Sequence, residues 1–168
     1  AEQHVKRLLT VQPDSAFGNY VLGSLQVRRG EFVLAESSFR RSLEKARSFA
    51  TLNDLAWVLQ ERNSLVEAEQ MVREALTINN QSYAAMDTLG VLLTKQGRYP
   101  EALEALLSAV KLNASDPSAQ LHLAEAYLKH GDKQKAGKLA DELISTRVEL
   151  SIKDRETLRT IRNATGAQ

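Results

Sequence analysis

The 168 residues include no cysteine, which excludes disulfides, thiolate zinc sites and cysteine nucleophiles. That absence is compatible with the cytoplasm and with a bacterial periplasm alike. Aromatic residues are 5% of the chain, with eight Gly and three Pro, too few ring side chains and turn-formers for a sheet protein. Neither sign of charge prevails: 22 Lys and Arg stand against 21 Asp and Glu, a net charge of +1. The concentrated basic footprint through which nucleic-acid binders displace phosphate counterions is therefore missing, and no nucleic-acid partner is expected. No apolar run approaches the ~18 residues of a spanning helix, so no membrane insertion is expected.

What the chain has is apolar residues, 43% of the total, and a period. Gly23, Ala56, Gly90 and Ala124 recur at steps of 33, 34 and 34. Ala35, Ala68, Ala102 and Ala136 keep the same steps, and so do the turn residues Gly30, Asn63, Gly97 and Gly131. Between these columns apolar residues fall three or four apart (Phe39 and Leu43, Val72 and Leu76, Leu106 and Val110), a helical spacing. Facing small residues let two helices of a hairpin approach closely, and Gly or Asn between them supplies the left-handed residue that ends the first. Pro100 suits a first helical turn, where a missing N–H costs nothing. The charge also changes sign from one period to the next, residues 16–48 summing to +3 and residues 49–82 to −3.

The spacing of Leu89-Gly90, Gly97, Tyr99, Ala102 and Ala109, and of Leu22-Gly23, Gly30, Phe32, Ala35 and Phe39, resembles the tetratricopeptide-repeat signature. An ankyrin array shares the 33-residue step, but its Thr-Pro-Leu-His turn is missing. The family's helix-one Trp is replaced by Asn19, Leu52, Met86 and Gln120, and the closing Pro is absent from all four complete units. The resemblance implies an all-α fold, a helix-hairpin solenoid of about ten helices wound as a right-handed superhelix, of the bacterial multi-repeat type. Its expected divisions are residues 1–15 as the second helix of a preceding repeat, then repeats at 16–48, 49–82, 83–116 and 117–150. A capping helix at 151–164 and a tail at 165–168 complete it.

Chemistry is hard to find in this pattern. His122 and Glu125, three apart on one helix, are the only plausible start of a metal site, and a histidine on an exposed helix face is the plainer reading. Carboxylate pairs such as Glu67/Glu69 and Asp141/Glu142 alternate with cations, as solvated helix faces do. Gly97-Arg98-Tyr99-Pro100 is a hairpin turn, not a phosphate loop. No catalytic residue, metal or cofactor is expected, and the chain is not read as an enzyme.

Function instead follows from the resemblance, which implies a protein- or peptide-binding scaffold holding its partner on the concave wall of first helices. Carried over by position, that wall comprises Phe17, Tyr20, Ser24 and Val27, then Asn53, Trp57 and Gln60. Asp87, Val91 and Thr94 follow, then Ser118, Leu121, Glu125 and Leu128. Phe17, Tyr20 and Trp57 would be rigid anchors and Asn53 a backbone reader, since an amide both donates and accepts. Repeat packing falls to Gly23, Ala35, Ala56, Ala68, Gly90, Ala102, Ala124 and Ala136. Tyr20 and Ser24 stand where chaperone-binding members carry a Lys/Asn carboxylate clamp, which disfavours a chaperone-tail ligand. Two alternatives stand beside the scaffold: a docking or regulatory region of an enzyme with its catalytic domain elsewhere, and an array that self-associates through its exposed repeat ends.

Overall fold

The computed structural model describes residues 2–146 and 149–166, and among these the chain forms ten α-helices and no strand. The helices divide between two compact units, Ala1–Asn80 and Gln81–Gln168. The first holds α1 (Glu2–Val11), α2 (Ala16–Arg28), α3 (Phe32–Lys45), α4 (Phe49–Glu61) and α5 (Leu65–Ile78). Within it α2 packs on α3, α3 on α4 and α4 on α5, while α1 lies against α2. The second holds α6 (Tyr83–Lys95), α7 (Tyr99–Leu112), α8 (Pro117–His130), α9 (Lys133–Ser145) and α10 (Ile152–Thr165). There α6 pairs with α7 and α8 with α9, and α10 covers both α8 and α9.

The first helix of each pair begins and ends for a local reason. Ser15, Ser48, Ser82 and Asp116 cap α2, α4, α6 and α8, their side-chain oxygens accepting from Gly18, Thr51, Ala85 and Ser118 N–H at 3.1, 3.2, 3.3 and 2.9 Å. These caps fall at the same 33- and 34-residue steps, a fourth periodic column. The turns between paired helices pass through left-handed backbone at Gly30, Asn63, Gly97 and Gly131, with φ of 74°, 62°, 76° and 99°. Asn63 is the one non-glycine residue at positive φ among the described residues. Pro100 lies in the first turn of α7, where its missing donor leaves no bond unmade.

The small-residue columns are close contacts. Ala35, Ala56, Ala68, Ala102, Ala124 and Ala136 have no exposed surface. A Cβ added at Gly23 would lie 2.6 Å from the Phe39 ring, and one at Gly90 2.3 Å from Leu106 Cγ. Glycine at these places is thus required by the neighbouring helix, and in each case the side chain that fills the space is fully buried.

The two polar residues at the signature Trp position tie down the preceding turn. Asn19 is buried and its amide donates to the Pro13 and Ser15 carbonyls at 3.0 and 2.9 Å. Gln120, at the equivalent place, donates to the Ala114 carbonyl at 2.7 Å. Each reaches a carbonyl six residues upstream, so both clamp the connection into their own helix.

Candidate functional site

In the first unit α2 and α4 lie side by side and carry seven of the residues expected on the binding wall. Ser24 and Val27 of α2 and Trp57 of α4 line a hollow of about 210 Å³ whose remaining walls are Phe39 and Asp54. Trp57 meets Phe32 edge-on, ring centroids 5.6 Å apart and planes at 74°, yet 37% of its surface stays open. Packing and exposure coexist in this side chain. Phe32 packs on it, and over a third of its surface stays available.

Phe17 and Tyr20 line a second hollow of about 280 Å³ with Ala16, Ser42, Ala46, Ser48 and Thr51. Phe17 is 70% exposed, unusual for a phenylalanine, whereas Tyr20 leans on the buried Phe39 ring at 6.0 Å. The Ser24 hydroxyl donates to the Tyr20 carbonyl at 3.0 Å, so it is spent on its own helix as well as facing the hollow.

Asp54 was not expected here, and Asn53 was. Burial pushes the Asp54 carboxyl above its ordinary pKa, and the Tyr20 hydroxyl and Asn53 side chain offset this only in part. The Tyr20 phenol is in turn held above its usual range, first by burial and then by the charge of Asp54. Asn53 is half-buried, with its Oδ1 enclosed and without a hydrogen-bond partner. Gln60 departs further from expectation. It is 7% exposed, because α4 is flanked by α2, α3 and α5 and buries most of its circumference, so it offers a ligand little surface.

In the second unit Asp87 of α6 faces His122 of α8, its two oxygens 2.8 and 3.0 Å from Nδ1. Burial works against the imidazolium. The Asp87 hydrogen bond, with the charges of Asp87, Asp154 and Glu125, outweighs it and raises the His122 pKa above its ordinary value. His122 is thus half-buried and committed to a neighbour, not a histidine on an open face. Among the described residues no group of three or more His, Asp or Glu side chains is placed to hold a metal ion.

Val91 is half-buried, and the Thr94 hydroxyl donates to the Gly90 carbonyl at 2.8 Å. Ser118 is half-buried at the start of α8. Leu121, expected on the wall, has no exposed surface and belongs to the core with Ala124, Ala136, Ala140, Leu143 and Ile161. Glu125 and Leu128 line a hollow of about 320 Å³ against α10, where Lys153, Glu156 and Thr157 stand opposite.

The alternation of charge between periods has its counterpart on α3 and α5. Arg40 of α3 bridges to Glu67 of α5 at 2.7 Å, and Arg47, just past α3, to Glu74 of α5; Arg62, just past α4, pairs in the reverse sense with Glu36 of α3. No helix among the described residues is long and apolar enough to cross a membrane.

Comparison with known proteins agrees with this architecture. A tetratricopeptide-repeat family model matches residues 49–83 and a TPR-repeat model matches residues 90–131. The human cell division cycle protein 16 homolog is 22% identical over 156 residues, 85% of this chain and 25% of that protein. Protein POLLENLESS 3-LIKE 2 of Arabidopsis thaliana is 47% identical over 58 residues, 33% of this chain and 13% of its own length. The chain therefore spans a quarter or less of the curated relatives it matches. Among solved structures, PilF of Pseudomonas aeruginosa superposes with a TM-score of 0.77 at 21% identity, covering 97% of this chain and 74% of that one. YrrB, a TPR protein with an unusual peptide-binding site, gives 0.76 at 17% identity, covering 96% and 81%.

Proposed function

This chain is a tetratricopeptide-repeat protein, and from that premise we propose that it is a non-catalytic scaffold that captures an extended segment of a partner protein on the face formed by α2 and α4. The observation that carries the reading is the pairing of open aromatic rings with two hollows lined by α2 and α4 residues. Phe17 and Trp57, with 70% and 37% of their surface exposed, are the two aromatic side chains that this unit leaves open, and each ring borders a hollow. Rigid aromatics are efficient anchors because they contribute large contact area and lose little rotamer freedom.

Tyr20 lines the second hollow, and Asp54 and Ser24 line the first, so polar groups are set between the rings. An extended peptide has alternating side chains and unpaired backbone polar groups, which such a face can match in kind.

The test is a random-peptide display selection against the full chain, repeated with Trp57→Ala whose helicity has been checked by circular dichroism. The reading expects peptides that bind the natural sequence and are lost with Trp57→Ala. Selected peptides that bind both forms equally would put the ligand elsewhere.

A further inference from the structure

Asp54 is the one group on this face that a purely aromatic groove does not need. Its carboxylate lines the 210 Å³ hollow together with Ser24, Val27, Phe39 and Trp57. Elsewhere in the unit partly buried carboxylates are matched: Glu36 by Arg40 and Arg62, and Glu74 by Arg47. Asp54 has only the Tyr20 hydroxyl and the Asn53 side chain beside it, and no cation of the described residues acts on it.

A desolvated carboxylate without a counter-charge is costly to the fold, and that cost is relieved by whatever cation enters. Burial already holds its pKa up, which is the signature of a charge lacking its partner.

The rest of the hollow narrows the choice of cation. Its walls are apolar and aromatic, and it is smaller than the ~300–1,000 Å³ typical of drug-sized ligands, about the room one long side chain needs. Open tryptophan surface beside a carboxylate suits a planar cation that can lie on a ring with its face and reach oxygens with its edge. We propose that this hollow receives a basic side chain of the bound segment, arginine in preference to lysine, with Asp54 as its counter-charge and Trp57 as its aromatic wall. This rests on the groove reading above and adds to it the chemistry of the partner at one position.

The peptides selected on the full chain test it directly. They should carry an arginine or lysine at a recurrent position. Replacing that residue by citrulline, or Asp54 by Asn in the protein, should each weaken binding roughly ten-fold or more, the order expected for removing one member of a partly buried charge pair. The two changes together should cost little more than either alone, because both remove the same interaction. Trp57-dependent peptides without a recurrent basic residue, or indifferent to Asp54→Asn, would overturn the basic-side-chain pocket and leave the groove standing. Peptides that ignore Trp57 as well would remove both.

Discussion

Gly23 and Gly90 show how tightly single positions are specified. A methyl group at either would lie within 2.6 Å of the Phe39 or Leu106 side chain, closer than carbon atoms approach in real proteins. Gly23→Ala and Gly90→Ala should therefore each destabilise the chain by about 1–3 kcal/mol despite alanine's better helix propensity, as measured by urea unfolding. Asp54 predicts the opposite sign. Its folded pKa is raised, so its contribution to stability is fully present below its ordinary value and is lost as pH rises through the folded value. Asp54→Asn should consequently raise the thermal midpoint near neutral pH, and the advantage should vanish in acid. The same variant can then report on binding without the ambiguity of a damaged fold.

At this scale the sequence showed the anchors better than the polar groups. Trp57 and Phe17 stand out by type and position, but Asn53 and Asp54 differ by a 100° turn that the repeat register alone does not resolve.

Helices are where the pattern was most legible, because caps, turns and small-residue contacts are local and recur with the period. The Ser48 side chain caps α4 and also contacts the Thr51 hydroxyl at 2.8 Å, so Ser48→Ala should cost about 1 kcal/mol in denaturant unfolding. Asn63, holding φ of 62° between α4 and α5, tests the turn column. Asn63→Gly should be neutral or slightly stabilising, and Asn63→Val should destabilise by roughly 1–2 kcal/mol, since a branched side chain clashes with left-handed backbone.

Contacts between non-paired helices were not legible. Asp87 and His122 are 35 residues apart and meet because α6 and α8 are neighbours, something no helical period on one strand of sequence declares. Gln60 and Leu121 were misread for a related reason: a helix flanked on several sides buries more than one stripe.

The α6–α8 ion pair carries a pH signature. With the His122 pKa raised, its stabilisation is complete below the ordinary value of about 6.5 and is lost as pH rises through the folded value. The melting temperature should fall as pH rises above about 6.5, and Asp87→Asn should flatten that fall.

For the molecule as a whole, composition set the class and the period set the fold, while the use of the fold depends on which side chains are left open. Opposite charges on α3 and α5 meet as ion pairs on the first unit, but the pairs are largely exposed and each contributes little. Stability resides in the buried Leu, Val and Ala of α4 and α5 and in the core beneath α10. The open rings of Phe17 and Trp57 add nothing to that core, and their exposure is what the binding account explains.

Trp57 is the chain's only tryptophan, so its emission reports on the proposed site without labelling. The most direct test is a fluorescence titration of the full chain with a display-selected peptide. The account predicts a saturable change in Trp57 emission whose Kd matches an independent binding measurement. A peptide that binds by that independent measure and leaves the emission unchanged would contradict it.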